Sequence, residues 1–431
     1  MSIEPLYAVP HLTTALDGPL HQLESLLLTY QGKIEAWLRS EWLEHPAPFY
    51  TSVDLRNAGF KLAPVDTNLF PAGFNNLNRA FLPLCIQAIQ TALERTCPKA
   101  ANILLIPENH SRNQFYFESL ATLIDIITKA GFSAHIGSLE PGLEQPRTIS
   151  VSGGRHLCIE PVSREGNRLV TPDFSPCMIL LNNDLSAGTP DILKGLEQPV
   201  IPSPALGWAT RSKTTHFGHY KQVAATFGAL IGMDPWWIDP LFRNCGEINF
   251  MKHEGEYCLA HNTEILLTEI QKKYDEYGIR DKPFVIIKSD SGTYGMAVMT
   301  VHSPEDAINL NRKQRTKMSS NKDGRAVSQV ILQEGVYTYE TWGNPPAFAE
   351  PVVYLIDHFV VGGFYRVHTE RGPNENLNAP GMKFEPLAFA DCCNSPSQTM
   401  APNADPNRFY AYGVIARLAQ LAAAREATNL V

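Results

Sequence analysis

One short segment, residues 284–298, combines the residue types that could bind a phosphate group. Lys288 ends an apolar run, and a loop rich in serine, glycine and threonine separates it from a second apolar run. Glycine lets the backbone approach a ligand closely, so several N–H groups can converge on one anion, and lysine adds a compact positive charge. The pattern predicts either a phosphate-binding hairpin or a flexible surface hairpin with a solvated lysine. The loop residues concerned are Ser289, Ser291, Gly292, Thr293 and Gly295.

Other catalytic motifs are missing from the sequence or poorly formed. The order strand, loop, strand lacks G-x-x-x-x-G-K-[ST] and G-x-G-x-x-G, which excludes a Walker-type site and a dinucleotide site. No G-x-S-x-G occurs, which argues against a hydrolase nucleophile elbow. His253, Cys258 and His261 are metal-ligand types, but their spacing favours the start of a helix over a zinc site.

Further polar residues follow the hairpin at the ends of apolar runs. In chain order there is an apolar strand that ends in an acid, a strand pair that begins with an acid and ends in arginine, and an asparagine-containing loop. These positions are Gln333 and Glu334, Glu350 and Arg366, and Asn376 and Asn378.

This order of features resembles the ATP-grasp ligases, in which a lysine and a glycine-rich hairpin cover the phosphates of ATP. The chain as a whole resembles one related family, the proteobacterial glutamate–cysteine ligases. The resemblance covers most of the length, includes residues 107–113 and 217–221, and is most specific over residues 288–295. It implies that the protein uses ATP and magnesium to join the glutamate γ-carboxylate to the cysteine amine through an acyl phosphate. That reaction is the first step of glutathione biosynthesis.

The resemblance also implies a role for each matching residue. Lys288 and Arg366 are the implied catalytic residues, because they match positions beside the transferred phosphate. Implied ATP-binding residues are Lys221, Lys288, Ser289, Ser291, Gly292, Thr293, Gly295, Gln333, Glu334 and Glu340. Implied magnesium ligands are Glu350, Asn376 and Asn378, with Glu385 and Asp391 as alternatives because the usual Glu-x-Asn pair is missing.

Two other functions stay open at the level of sequence. One is a different ATP-grasp carboxylate–amine ligase, similar to glutathione synthetase or to a peptide ligase. The other is a nucleotide-binding protein without catalytic activity.

The order of apolar and polar segments in the first half of the sequence predicts an open parallel sheet. An apolar strand at 102–106, a polar loop at 107–112, a helix at 113–130 and a strand at 132–136 form a strand–helix–strand unit. Ligands bind at the carboxyl ends of such strands, which predicts an amino-acid substrate near Asn109, Ser111 and Arg112; simple helix capping is the alternative. Residues 46–71 contain four prolines and are predicted to be a loop.

These elements predict an α/β fold in three parts. Residues 1–200 form the N-terminal open parallel-sheet domain on the substrate side, and residues 201–282 form a helical connection. Residues 283–431 form the ATP-grasp-like nucleotide-binding region. The two flanking parts would together place the amino acids next to ATP.

Composition narrows the possible partners to small molecules. The chain has 431 residues, 44% of them hydrophobic, and a net charge of −8, which is unfavourable for nucleic-acid binding. No apolar run reaches membrane-spanning length and no secretory signal is visible. The eight cysteines form no C-x-x-C pair, which predicts a cytoplasmic protein with reduced thiols. A homo-oligomer remains possible.

Overall fold

The computed structural model describes residues 19–109, 113–292, 297–320, 326–387 and 408–428, which form a mixed α/β fold. The α-helices are α1 (Pro19–Thr29), α2 (Gln31–Glu44), α3 (Leu82–Thr96), α4 (Gln114–Lys129), α5 (Lys213–Ile231), α6 (Glu256–Tyr277), α7 (Pro304–Ile308), α8 (Arg312–Met318) and α9 (Arg408–Thr428). The strands are β1 (Tyr50–Asn57), β2 (Leu62–Asn68), β3 (Asn102–Pro107), β4 (Ser133–Ser138), β5 (Arg147–Val151), β6 (Arg155–Pro161), β7 (Ser163–Glu165), β8 (Arg168–Val170), β9 (Met178–Asn182), β10 (Val200–Ile201), β11 (Phe242–Cys245), β12 (Val285–Ser289), β13 (Val298–Val301), β14 (Val330–Glu334), β15 (Glu340–Trp342), β16 (Ala347–Ile356), β17 (Phe359–His368) and β18 (Lys383–Pro386).

The first sheet has the order β10-β9-β3-β4-β6-β5 and is parallel except for the β5–β6 pair. Helix α4 connects β3 to β4, as the strand–helix–strand pattern predicts. The side chain of Asn113 accepts a hydrogen bond from the Tyr116 backbone N–H and caps this helix. Leu123 and Ile127 lie on its buried face, which covers the sheet.

The second sheet has the order β18-β17-β16-β1-β2, with β15 added to β16, and is antiparallel throughout. The prediction of a loop over residues 46–71 is wrong, because β1 and β2 lie there. Strand β1 is buried between β2 and β16, a partner about 300 residues later in the chain, so no local pattern reveals the pairing. Pro64 lies on β2 next to a register shift, and β2 is an edge strand, where proline is tolerated.

The third sheet has the order β11-β14-β12-β13 and is also antiparallel. Strands β12 and β13 form the hairpin that the sequence predicts, with Lys288 opposite Val298. The long helix α6 covers this sheet with Leu266 and Ile270, which are fully buried. The residues around the hairpin are therefore held on a packed sheet rather than on a free surface loop.

Helix α9, the last element, runs against α5 and against strands β1 and β2. Its inner residues belong to the main apolar core, in which Leu418 and Leu421 are fully buried. Arg417 of this helix donates hydrogen bonds to both carboxylate oxygens of Glu35 on α2. The two ends of the described chain are thus joined in one core.

A disulfide joins Cys245 of β11 to Cys258 of α6, with a Cα–Cα distance of 6.2 Å. The prediction that all thiols are free is therefore wrong for this pair. No C-x-x-C pattern marks this pair, because the two cysteines meet through the packing of α6 on the edge strand β11. Three other described cysteines, Cys97, Cys158 and Cys177, are free, and the Cys85 thiol donates to the Val361 carbonyl at 3.6 Å. Among the described helices, none is long and apolar enough to cross a membrane.

Candidate functional site

A cavity of about 110 Å³ lies between the second and third sheets. Strands β1, β2, β16 and β17 of the second sheet line it, together with β12, β13 and β14 of the third sheet. The first residue of α5 also reaches it. The cavity is therefore built from parts of the chain that are distant in sequence.

Most of the predicted site residues within the described chain line this cavity. They are Lys288, Ser289, Ser291, Gly292, Gln333, Glu334, Glu350, Arg366, Asn376 and Asn378. The structure thus brings the predicted phosphate loop, the acidic strand end, the arginine and the asparagine loop into one place. Their individual roles stay predictions.

The other predicted residues lie elsewhere or outside the described chain. Lys221 is exposed on α5. Glu340 is fully buried on β15 and accepts a hydrogen bond from Asn57 Nδ2 at 2.9 Å. Asn109 borders a separate cavity of about 420 Å³ at the carboxyl edge of the first sheet. The alternative magnesium ligand Glu385 is paired with Tyr365 in the second sheet. Thr293, Gly295, Ser111, Arg112 and Asp391 lie outside the described residues.

Lys288 is held at the end of β12 by two neutral acceptors. Its Nζ donates to the Val65 carbonyl at 2.8 Å and to Gln333 Oε1 at 2.7 Å. Burial lowers the pKa of Lys288 to about 8, while the carboxylate of Asp66 opposes the shift and Lys213 adds to it. A buried cation whose contacts are neutral gains strongly from an anionic ligand.

Arg366 and Glu350 form the centre of a charge network on the second sheet. Arg366 Nη1 donates to Asp54 Oδ2 at 2.9 Å and also to Glu350, and Arg56 Nε donates to the other Glu350 oxygen at 3.0 Å. Although burial favours the neutral acid, the two arginines hold the pKa of Glu350 below its usual value. Burial raises the pKa of Asp54, and Glu350 and Asp66 add to this effect against Arg366.

A second ion pair, between Lys213 and Asp66, lies beside Lys288. Lys213 is the first residue of α5, and its Nζ contacts Asp66 Oδ1 at 2.7 Å. Burial would raise the pKa of Asp66, but Lys213 and Lys288 together hold it below its usual value. Two lysines from different elements, β12 and α5, therefore approach the cavity and contact neighbouring residues of β2.

The carboxylate of Glu334 is held by three donors in the core next to the cavity. One oxygen accepts from Lys61 Nζ at 2.7 Å and from the Leu241 N–H at 3.0 Å, and the other accepts from Trp236 Nε1 at 3.2 Å. Lys61 is 1% exposed and also lies 4.3 Å from the centre of the Trp236 ring. This cluster fixes the end of β14 beside the cavity.

Two donors that line the cavity have no hydrogen-bond partner in the described structure. They are Arg366 Nε and Gln333 Nε2, and both atoms are buried. Buried polar groups are nearly always satisfied in folded proteins. Together with the four cationic side chains that line the cavity, Arg56, Lys213, Lys288 and Arg366, the two donors fit a ligand rich in acceptor oxygens.

The carboxylate and amide oxygens of the cavity also fit a magnesium ion that takes its remaining ligands from the substrates. The carboxylates of Asp54, Asp66 and Glu350 and the amides of Asn376 and Asn378 line it. Within the described ranges, no group of three His, Cys, Asp or Glu residues could hold a metal alone. Magnesium at phosphate-transfer sites typically takes one or two carboxylates and completes its octahedron with phosphate and water oxygens.

Sequence reasoning missed five charged residues of this region. They are Asp54, Arg56, Lys61, Asp66 and Lys213. A signal was present in β1, where Val53, Asp54, Leu55 and Arg56 alternate between apolar and charged, the pattern of a strand with one buried face. The four prolines of residues 46–71 predict a loop, so this short alternation is not enough to predict a strand.

Two more distant solved structures overlap this fold only loosely. A glutathione synthetase-like effector from Globodera pallida is 11% identical, with a TM-score of 0.35, and the match covers 81% of this chain and 78% of that one. D-alanyl-alanine synthetase A from Vibrio cholerae is 9% identical, with a TM-score of 0.35, covering 74% and 81%. At this level of overlap neither structure carries an argument about the site. A search of curated proteins gives no match.

Closer matches show the family. A crystal structure from Methylobacillus flagellatus KT, described as "Putative gamma-glutamylcysteine synthetase", is 57% identical with a TM-score of 0.90. That match covers 98% of this chain and 99% of the other. The sequence profile of the family described as glutamate-cysteine ligase matches residues 24–427, which confirms the resemblance inferred from the sequence. The chain therefore belongs to the glutamate–cysteine ligase family.

Proposed function

We propose that the cavity between the second and third sheets is where this ligase activates the glutamate γ-carboxylate with ATP before cysteine attacks. Membership of the glutamate–cysteine ligase family makes the chain an ATP-dependent ligase that acts in the first step of glutathione biosynthesis. The observation that supports the location is the convergence of Lys213, Lys288, Arg56 and Arg366 on one cavity that also holds unsatisfied buried donors.

Charge stabilisation is the main task of such a site. A carboxylate does not react with an amine at neutral pH, so it is first converted to an acyl phosphate that the amine can attack. During phosphoryl transfer, one carboxylate oxygen forms a bond to the γ-phosphorus while the bond from that phosphorus to ADP breaks, and negative charge is spread over the three equatorial phosphoryl oxygens and the leaving ADP oxygen. Preorganised cations in a site that excludes water stabilise this charge and contribute several kcal/mol, on the order of 3 for one donor.

Each residue would stabilise a different part of the substrates, according to where it lies in the cavity. Lys288 and Ser291, at the start of the hairpin loop, would bind the phosphate chain, and Lys213 would approach it from α5. Arg366 would bind the transferred phosphate through its guanidinium group, which Asp54 and Glu350 keep in place. The network thus orients the arginine before the substrates arrive.

Magnesium would supply charge neutralisation between the phosphates when bound. The carboxylates of Glu350 and Asp54 would hold it together with the amide oxygens of Asn376 and Asn378, all of which line the cavity. Asn376 Oδ1 accepts a hydrogen bond from the Asn378 N–H at 2.9 Å, which orients this loop and leaves a second lone pair on the oxygen.

The experiment is a substrate test with one matched pair of variants. Purified protein with ATP, magnesium, glutamate and cysteine should release phosphate and form γ-glutamylcysteine, identified by mass spectrometry. Lys288→Ala should abolish phosphate release, whereas Lys272→Ala, which changes an exposed lysine of α6, should not.

Three results would contradict the proposal in different ways. Turnover with other amines or acids but not with this pair would reject the substrates. Tight ATP binding without turnover on any pair would reject catalysis. Full activity of the Lys288→Ala variant would reject the location of the site.

A further inference from the structure

We propose that Asp290 is a positioning residue that couples the phosphate loop to helix α5, so that Lys213 and Lys288 act on one ligand together. This inference rests on the proposed function of the cavity and names a residue that does not itself line it. Asp290 follows β12 directly, between Ser289 and Ser291 of the loop, and is 7% exposed.

Asp290 provides most of the cap of α5. The first N–H groups of a helix have no partner within it. Here the Lys213 N–H donates to the Asp290 carbonyl at 2.7 Å, and the Thr214 N–H donates to Asp290 Oδ1 at 2.8 Å. The third N–H, of Thr215, donates to the Ser212 side chain. A residue about 76 positions later in the chain thus caps two of three N–H groups.

The side chain of Thr214 adds a further contact, because its Oγ1 donates to Asp290 Oδ1 at 2.7 Å. The Asp290 N–H in turn donates to the Gln329 carbonyl at 3.0 Å, just before β14. Asp290 therefore joins the loop, α5 and the approach to β14. A carboxylate is also favoured at a helix N-terminus by the helix dipole.

Apart from the contacts of Asp290, the described contacts link the two lysines only through Val65 and Asp66, which are neighbours on β2. Lys288 Nζ donates to the Val65 carbonyl, and Lys213 Nζ contacts the carboxylate of Asp66. A phosphate that binds either ammonium group competes with those contacts. The contacts of Asp290 involve the backbone and Thr214 instead, so they persist while the lysine side chains bind a ligand.

The consequence is a prediction about nucleotide affinity. Without the carboxylate, the loop and α5 can move apart, and a displacement of about 1 Å is enough to weaken charge-assisted contacts and slow catalysis. We expect Asp290→Ala to weaken binding of a non-hydrolysable ATP analogue with magnesium about tenfold and to lower kcat, while KM for cysteine changes less than twofold. Asp290→Asn keeps an acceptor but loses the charge, and should weaken binding about threefold.

Asp306 provides the matched control. Its carboxylate also accepts two backbone N–H groups, from His302 and Ser303, at the start of the short helix α7, and it does not line the cavity. Asp306→Ala also removes a carboxylate that accepts backbone N–H groups at the start of a helix, in the same half of the protein. It should change the melting temperature but leave analogue affinity within twofold of wild type.

A double-mutant cycle tests whether Asp290 acts through α5. Thr214→Val removes the hydroxyl donor and should weaken analogue binding about threefold, measured by calorimetry. Combined with Asp290→Ala it should add nothing further, because both changes break one contact. If Asp290→Ala does not fold, the Asp290→Asn and Thr214→Val single variants still test the inference, since each should weaken analogue binding about threefold.

Defined outcomes overturn the inference. Equal affinity in the Asp290→Ala, Asp306→Ala and wild-type proteins would show that Asp290 only stabilises the fold. Effects of the two changes that multiply in the double variant would show that Asp290 does not act through Thr214. Wild-type protein that binds the analogue but forms no γ-glutamylcysteine would refute the proposed function alone, since analogue affinity still judges Asp290. Absence of analogue binding by wild type would overturn both.

Discussion

Replacing Lys288 by methionine separates the contribution of this lysine to catalysis from its cost to the fold. The substitution keeps a long flexible side chain and removes the charge, so phosphate release should stop. The free energy of unfolding changes as well, because the wild-type protein keeps an ammonium group in a largely buried site.

The size and sign of that change follow from the pKa. Burial lowers the pKa of Lys288 from 10.5 to about 8, which corresponds to a cost of about 3 kcal/mol for the charged group in the native state. Below pH 8 both native and unfolded chains hold the proton, so the cost is fully present. Between pH 8 and pH 10.5 the unfolded chain binds the proton more tightly, so wild-type stability rises with pH. The variant lacks this dependence.

In the Lys288→Met variant, the Val65 carbonyl and Gln333 Oε1 also lose the hydrogen bond that Lys288 Nζ donates to each of them in the wild type. Such losses cost about 1–3 kcal/mol and do not depend on pH. The two effects nearly cancel at pH 7. The testable quantity is therefore the pH dependence of the difference in unfolding free energy. The stability of Lys288→Met relative to wild type should fall by about 2 kcal/mol between pH 7 and pH 10.

Urea titrations followed by tryptophan fluorescence at pH 7, 8, 9 and 10 measure this pH dependence. Lys272→Met, at an exposed position of α6, is the control and should remain parallel to wild type across the range. A Lys288→Met curve that stays parallel to wild type would refute the reasoning, because it would mean that the buried site does not disfavour the charged lysine.

Three further predictions concern other parts of the structure. Arg366→Gln should lower kcat by about 10²–10³ while retaining analogue binding, and unchanged kcat in steady-state assays would contradict its role. Lys61→Met leaves the buried Glu334 without its cation and should lower the free energy of unfolding by about 3–5 kcal/mol in denaturant titrations; an unchanged midpoint would contradict this. Reduction of the disulfide between Cys245 and Cys258 should destabilise wild type by about 3 kcal/mol, whereas the melting temperature of Cys245→Ala should not respond to the reductant.

Sequence reasoning identified the elements whose partners are near in the chain. The hairpin around Lys288 and the strand–helix–strand unit capped by Asn113 were predicted because their periodicity and turn residues are local. The family resemblance then added Arg366 and Glu350, which the structure places in the same cavity. Long apolar runs and glycine-rich turns explain this part of the prediction.

The missed residues have the opposite property. Asp54 and Arg56 lie on a strand whose neighbours in the sheet include β16, so their role depends on pairing that no short window contains. Lys213 begins a helix whose cap comes from Asp290. Lys61 is fully buried, and because buried lysines are rare, a lysine in the sequence is normally predicted to be exposed. Tertiary contacts decided each of these positions.

The pairing of β1 with β16 also has a consequence for synthesis of the chain. About 300 residues separate the two strands, and at roughly 5–20 residues per second the ribosome needs roughly 15–60 s to make that interval. For that time, nascent Tyr50–Asn57 lacks the neighbour that covers one of its edges. An uncovered strand edge is a template for pairing with other nascent chains, so early chaperone binding to this segment should favour soluble yield.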